Sequence, residues 1–360
     1  MRVDALWLTD YRNYEAAELR PAPGLTAVVG ANGQGKTNLL EAIGYLATLS
    51  SFRGAPGEAL IRVGVESAVV RAEVASGGRS SLVEAELHPT GRDRVMVNRA
   101  PLRRGRDLLG TLRVSVFSPD DVDLVKGGPA GRRRLLDETL VACAPRIDAV
   151  RTDLDRVLRQ RNTLLKQAGG RASPEVSATL DVWDAKLAEL GEDLAGARER
   201  LVIRLRPVVA DAYDRVAEAS SSVTLDYAAP WRAVGLAAAL AATRKDDLRR
   251  GLTTLGPHRD DLLVGLAGLP SRTHASSGEQ RSLALALRLA MHAVVTEVAG
   301  TTPVLLLDDV FSELDPARSA ALLQALPTGQ ALVTTAGSLP AGAHPELIVR
   351  VGGGRLLAAA

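Results

Sequence analysis

Residues 30–37 read Gly-Ala-Asn-Gly-Gln-Gly-Lys-Thr, which fits G-x-x-x-x-G-K-[ST]. Few strings of that length restrict a fold as much, because the glycine loop works only between a strand and a helix. Both flanks are present. Leu25-Thr26-Ala27-Val28-Val29 is a compact apolar run feeding directly into Gly30, and Leu39, Leu40, Ile43, Leu46 and Ala47 recur at helical spacing across 37–49. In such a loop the backbone N–H groups converge on a phosphate, and the following helix adds the positive end of its dipole. Gly30, Ala31, Asn32, Gly33, Gln34, Gly35, Lys36 and Thr37 are therefore candidate nucleotide-binding residues. Lys36 supplies a mobile charge to the β- and γ-phosphates, and the Thr37 hydroxyl is placed to ligate Mg2+.

The rest of such a site lies far along the chain. Pro303-Val304-Leu305-Leu306-Leu307-Asp308-Asp309 reads as a buried strand ending in two acids. Asp308 should emerge at the carboxyl edge of a central strand, where nucleotides bind in open α/β sheets, and hold Mg2+ directly or through water. Asp309 would orient or deprotonate an attacking water, so Lys36, Asp308 and Asp309 are the candidate catalytic residues. Ser312-Glu313-Leu314-Asp315 follows, and Ala275-Ser276-Ser277-Gly278-Glu279-Gln280-Arg281 precedes.

These elements in this order resemble the ATP-binding-cassette ATPases, whose D-loop the 312–315 run matches and whose Leu-Ser-Gly-Gly-Gln signature the 275–281 run approximates. Ser276 falls on the signature serine, Ser277 on the first glycine, Gly278 on the second and Glu279 on the last position. On its own, Ser-Ser-Gly-Glu is equally a plain helix N-cap. The resemblance implies that Ser276, Ser277, Gly278, Glu279 and Asp315 complete the ATP site of a partner subunit, with two nucleotides sandwiched head to tail in an ATP-dependent homodimer. Two departures stand out: the strand 331–335 is followed by no switch histidine, and no glutamine-loop Gln occurs around 112–121. Together with Asp rather than Glu at 309, they favour slow hydrolysis used as a switch.

The chain has 360 residues, which suggests roughly two domains. Apolar residues at 46% and charged ones at 24% are the proportions of a soluble globular protein. Strands are expected at 3–9 and 25–29, then an antiparallel region over 60–117 whose runs 68–74 and 81–87 bracket the turn Ser76-Gly77-Gly78-Arg79. Short strands at 95–97 and 114–117 complete it. A mostly helical tract opens at Gly127-Gly128-Pro129, with breaks near Gly169-Gly170, Ser173-Pro174 and Arg206-Pro207. The helical segments 145–168 and 176–205 are expected to form an antiparallel hairpin. After 255 the α/β pattern returns, with helices at 278–298 and 317–326, strands at 303–307 and 331–335, and a hairpin around Gly352-Gly353-Gly354. The expected fold is an α/β P-loop ATPase head, discontinuous over 1–125 and 255–360, with an antiparallel β subdomain and an inserted helical lobe at 126–254.

The lone Cys143 reads as a structural thiol. No signal-peptide pattern opens the chain, and no uncharged apolar run approaches the roughly 18 residues of a membrane span. A cytoplasmic protein without a membrane partner is expected. Net charge is +2, but 92–166 holds 17 Lys or Arg against 10 Asp or Glu. Such a segment suits a polyanion and is also found on solvated protein faces.

Several further stretches resemble the RecF family of bacterial recombination mediators, relatives of the chromosome-maintenance heads. They are Leu8-Thr9-Asp10-Tyr11-Arg12-Asn13-Tyr14, Phe117-Ser118-Pro119-Asp120-Asp121, Lys126-Gly127-Gly128-Pro129, Arg132-Arg133-Arg134-Leu135-Leu136-Asp137, Gly256-Pro257-His258-Arg259-Asp260-Asp261 and the Asp308–Asp315 run. That family also carries Asp after the magnesium acid and lacks the switch histidine. The resemblance implies ATP and Mg2+ as cofactors and a slow, DNA-stimulated ATPase that dimerises on DNA. It implies binding to duplex, single-stranded and gapped DNA, and cooperation with RecR and RecO in loading RecA. Arg12 and Asn13 are candidates for the nucleotide's surroundings or form an ordinary strand-end turn. His258 and Arg259 structure an interdomain face or form a Gly-Pro turn with solvated charges. Arg103, Arg104, Arg106, Arg132, Arg133 and Arg134 are the candidate DNA contacts. A chromosome-maintenance head is disfavoured, because its halves are separated by hundreds of coiled-coil residues; a non-hydrolysing DNA scaffold is the alternative of another class.

Overall fold

Strands with apolar residues at every position can exist only where both sheet faces are covered, and that fixes the centre of the molecule. In the computed structural model, which describes residues 1–90, 93–217 and 220–357, the chain forms strands β1 (Arg2–Tyr11), β2 (Tyr14–Leu19), β3 (Leu25–Val29), β4 (Ala68–Ser76), β5 (Arg79–Leu87), β6 (Arg94–Val97), β7 (Ala100–Pro101) and β8 (Val114–Phe117). Later come β9 (Val223–Ala228), β10 (Asp261–Leu266), β11 (Leu269–Pro270), β12 (Val304–Asp308), β13 (Ala331–Thr335), β14 (Leu347–Gly352) and β15 (Arg355–Leu357). Every residue of β12 and β13 is buried.

Two compact units share the chain. The first comprises Met1–Val122, Val208–Ser221 and Ser277–Ala360. Its central sheet runs β15-β14-β3-β13-β12-β8, parallel except for the β14–β15 hairpin. A second sheet, β2-β1-β4-β5-β6-β7, is antiparallel throughout. Its strand β4 alternates between buried and half-buried positions from Ala68 to Ala75, the signature of a sheet with one face on the core. The helix Lys36–Thr48 packs against strands of both sheets, with Leu39, Leu40, Ile43 and Leu46 fully buried. Strand β8 belongs to the parallel sheet, where it pairs with β12, and not to the antiparallel region in which its sequence position had placed it. Its Val-Ser-Val-Phe pattern fits an edge strand of either sheet, and only the distant partner decides.

Helix Ser277–Ala299 is long and apolar enough to cross a membrane by length and composition, yet it is largely buried and packs on β8. Its His292 Nδ1 lies 2.9 Å from Ser115 Oγ.

The second unit comprises Asp123–Pro207 and Ser222–Ser276. Helices Pro129–Cys143, Ile147–Ala168 and Leu236–Arg250, with most of the long helix Pro174–Val216, surround a small antiparallel sheet β11-β10-β9. The chain thus changes unit more often than a single insert at 126–254 would require, and the second unit carries a sheet as well as helices. The expected break at Arg206–Pro207 is absent. Pro207 sits inside one continuous 43-residue helix. A proline there removes the bond to the Ile203 carbonyl, and burial of Val202, Leu205, Val209 and Ala212 along the same helix offsets the loss.

Buried ion pairs tie this unit together. Arg161 is fully buried and binds Asp184 at 2.6 Å, Asp247 at 2.8 Å and the Thr253 hydroxyl at 2.8 Å. Arg198 makes a bidentate pair with Asp137 at 2.7 and 2.8 Å and donates to the Pro257 carbonyl. The Gly256–Asp261 motif is thereby a structural node: Asp260 also accepts from Tyr227 and from Trp231 Nε1.

Candidate functional site

The first unit brings the two half-sites together across the central sheet. Strand β3 delivers the glycine loop, and Gly33 and Gly35 take positive φ angles of 76° and 114°. Gly35 must also be bare, because a Cβ there would lie 2.8 Å from the Asn13 amide and 2.9 Å from the Tyr14 hydroxyl. That hydroxyl donates to the Gly35 carbonyl at 3.0 Å, and Asn13 Nδ2 donates to the Gln34 carbonyl at 2.9 Å. Asn13 therefore buttresses the loop directly. Asn38 Nδ2 in turn donates to Asn13 Oδ1.

Arg12 sits one step behind. Its guanidinium grips buried Glu41 of the loop's helix with bonds of 2.7 and 2.8 Å and donates to the Ala59 carbonyl. Its charge is spent on holding the helix. On the other side, the β14–β15 turn closes onto Gln34: the Gly353 N–H donates to Gln34 Oε1 at 2.6 Å, and the Gly354 N–H to the Gln34 carbonyl at 3.2 Å.

Lys36 is buried, and its Nζ donates to the carbonyls of Gly30 and Ala31 at 2.8 and 2.9 Å. The ammonium lies over the loop it would neutralise a phosphate from. Thr37 Oγ1 donates to Asp308 Oδ1 at 2.7 Å, although the two residues are 271 positions apart. The Thr334 hydroxyl, at the end of β13, donates to the same Asp308 oxygen at 2.8 Å and accepts the Asp309 N–H at 2.9 Å. Burial pushes the Asp308 carboxyl above the usual carboxylate range, while these hydroxyls and the charge of Arg53 pull it back. Asp309 takes a left-handed φ of 50°, and its Oδ1 is buried without a hydrogen-bond partner. A left-handed aspartate with an orphaned oxygen is costly, and such strain gathers at ligand sites. A hydroxyl and a carboxylate sharing one point, beside a positively charged loop, suit a hard divalent cation with a phosphate. No separate cluster of three or more His, Cys, Asp or Glu suited to a metal occurs among the described residues.

The signature residues begin a helix: Ser276 precedes it, and Ser277, Gly278 and Glu279 form its first turn. The D-loop lies against that helix. Asp315 caps the helix Pro316–Ala325 by accepting the Arg318 N–H at 2.8 Å, and Arg281 pairs with Glu313 at 3.1 Å.

The basic candidates divide. Arg103 and Arg104 are exposed and Arg106 half-buried around the turn Gly105–Leu108. Arg134 is half-exposed and pairs with Glu138. Arg132 is buried, bound bidentately to Asp261 and to the carbonyls of Leu124 and Gly127, so it has no face to offer a DNA phosphate. Arg133 donates to the Asp260 carbonyl. His258, half-buried, has Nε2 3.2 Å from the Thr253 carbonyl, while Arg259 is exposed.

Thr334 and Arg53 were not singled out from sequence. Thr334 stands near where a switch histidine was sought, but nothing local shows that its hydroxyl reaches Asp308. Arg53 follows the loop's helix, near enough to feel Asp308, and its Nη1 reaches Asn38 Oδ1 at 3.4 Å.

Residues 2–338 match the model of the RecF/RecN/SMC N-terminal domain. The chain is 48% identical over 355 residues to the DNA replication and repair protein RecF of Frankia alni, covering 93% of each. It is 46% identical over 351 residues to that of Streptomyces avermitilis, again covering 93% of each. Among solved structures, the recombination mediator protein RecF with ATP, of the RecFOR pathway, superimposes with a TM-score of 0.92 at 27% identity, over 99% of this chain and 97% of that one. An Smc head bound to the C-terminal winged-helix domain of ScpA shares the fold, with a TM-score of 0.59 at 17% identity, over 98% of this chain and 94% of that one. With its glycine loop and Asp308 joined in one α/β head, the chain belongs to the RecF family, within the wider class of RecF, RecN and SMC heads.

Proposed function

We propose that this chain is an ATP-dependent, DNA-binding recombination mediator of single-strand gap repair, dimerising on DNA when ATP is bound and hydrolysing it slowly. The observation that supports the reading is the 2.7 Å bond between Thr37 and Asp308, which brings together the residues that would form the two halves of a magnesium–nucleotide site. Lys36 and the loop amides would hold the β- and γ-phosphates, and Thr37 and Asp308 the Mg2+ ion, which supplies charge neutralisation when bound. Asp309 would orient the attacking water; its shorter side chain and a Thr in place of a histidine favour a timer over fast turnover. Ser276, Ser277, Gly278, Glu279 and Asp315 would face the nucleotide of a second copy. The solved relative's place in the RecFOR pathway supports RecR and RecO as pathway partners; RecA as the protein loaded and a cytoplasmic site of action are part of the same proposal.

Arg103, Arg104, Arg106 and Arg134 remain the DNA candidates. If they contact phosphates, their joint replacement by Ala flattens the salt dependence of binding by about 0.9 per lost contact; an unchanged slope excludes them. The test of the function is binding to gapped, duplex and single-stranded DNA, with and without ATP, for the wild type and Lys36→Arg. ATP should prolong residence on gapped DNA only in the wild type. ATP-independent binding equal in both would leave a passive scaffold.

A further inference from the structure

Gly278 has no conformational reason to be glycine: it lies in the first turn of the helix Ser277–Ala299 and is not among the residues with positive φ. Its neighbour gives the reason. A Cβ at 278 would lie 2.7 Å from Arg318 Nη2 and 3.1 Å from its Cζ, so the guanidinium occupies the space a side chain there would need. Arg318 belongs to the helix that starts at the D-loop and is held there from two directions. Its Nη1 pairs with the Asp315 carboxylate, whose other oxygen accepts the Arg318 N–H, and its Nε donates to Ser282 Oγ at 3.3 Å. The fork thus spans the D-loop and two turns of the signature helix. Tyr213, buried, lies close enough to feel the charges of both Glu279 and Arg318.

We propose that Arg318 is a positioning residue that fixes the signature turn against the D-loop, so that both reach a neighbouring subunit's nucleotide as one rigid surface. The inference rests on the ATP-dependent dimer proposed above. A guanidinium suits this task because it lies close over Gly278 while bonding through several N–H groups; the point charge of a lysine cannot do both. Asp315 and Ser282, to which Arg318 bonds, are not part of its own chain's phosphate loop, so its loss should leave that loop's nucleotide affinity intact.

The experiment is sedimentation of the full chain with Mg2+ and a non-hydrolysable ATP analogue, beside nucleotide binding and thermal unfolding of the same samples. Arg318→Ala should weaken dimerisation by about tenfold or more, the scale of a lost charge-assisted pair, with nucleotide affinity unchanged. Gly278→Ala should weaken it similarly, and the double variant should be no worse than Arg318→Ala, because residues in contact are not additive. Arg318→Lys, which keeps the charge and the aliphatic stem, should fold and show an intermediate loss. Arg318→Ala dimerising like the wild type overturns the inference. So does a fall in nucleotide affinity parallel to the loss of dimer, which would mark a general structural role. A multiplied loss in the double variant would show that Gly278 and Arg318 act independently of each other, and would also overturn it. A wild type that stays monomeric removes the dimer itself, and the inference with it.

Discussion

Both units bury charge, and they use it in opposite ways. In the second unit the buried charges answer each other: Arg161 meets Asp184 and Asp247, Arg198 meets Asp137, and Arg132 meets Asp261. In the first unit Arg12 and buried Glu41 close on each other in the same way, but at the strand ends the buried polar groups lack complete partners: Lys36 holds only carbonyls, Asp308 takes two hydroxyls, and Asp309 Oδ1 has none. The proposed nucleotide site is thus the place where the chain buries Lys36 and Asp308 without supplying a counter-charge. The closed pairs of the second unit read as architecture.

Removing one member of a closed pair is the harshest way to sharpen that contrast. Arg161→Met leaves buried Asp247 without its cationic partner and Asp184 with Arg244 alone, and should cost about 3–5 kcal/mol in urea unfolding, while nucleotide affinity of the folded protein stays near wild type. A matching loss of nucleotide affinity would break the division between the two regions. Lys36→Ala should do the reverse. The loss of a charge-assisted contact worth about 1.5–3 kcal/mol weakens nucleotide binding by roughly ten- to a hundredfold, with little change in unfolding.

A third test uses acid and involves both regions. Burial pushes His292 of the first unit and His258 of the second down to about 4. Each is neutral in the fold, whereas the unfolded chain takes up its proton near pH 6.5. Stability should therefore be complete above that pH and fall progressively toward pH 4 as the unfolded state is favoured. Denaturant unfolding of His292→Gln between pH 7 and pH 4.5 should show a shallower decline than the wild type; an identical slope would mean that burial does not hold this imidazole neutral.

The smallest expected effect is at Thr334→Val, which removes one hydrogen bond to Asp308 and one from the Asp309 amide. With each bond worth about 1 kcal/mol, nucleotide binding in the presence of Mg2+ should weaken by less than about a hundredfold. Because burial already raises the Asp308 carboxyl and this hydroxyl opposes it, the variant should also lose binding at a higher pH on acidification than the wild type does.

Much of the first unit was legible because its signals are local. The apolar runs at 25–29 and 304–308, the glycine loop and the helical spacing after it each announce their element within a dozen residues. Asp308 could be placed because four apolar neighbours fix which end of the strand it occupies. What stayed hidden depends on partners far away in the chain. Val114–Phe117 alternates like an antiparallel strand, and only pairing with Val304–Leu307 sends it to the parallel sheet. Arg132 looks like its neighbours in a basic run until Asp261, 129 residues on, claims it. Pro207 signals a break, which the buried residues on either side of it override. Strand β9 is a short alternating run whose partner β10 follows only after the helix Leu236–Arg250.

The most direct test of the central claim is the shift in unfolding free energy on adding Mg2+ and ATP, measured for the wild type, Lys36→Ala and Arg161→Met. A ligand that binds only the folded state at a hundred times its Kd stabilises it by about 2.7 kcal/mol. The predicted result is a shift of that order in the wild type and in Arg161→Met, and almost none in Lys36→Ala. An equal shift in all three, or none in the wild type, would contradict a nucleotide site built from the open polar cluster of the first unit.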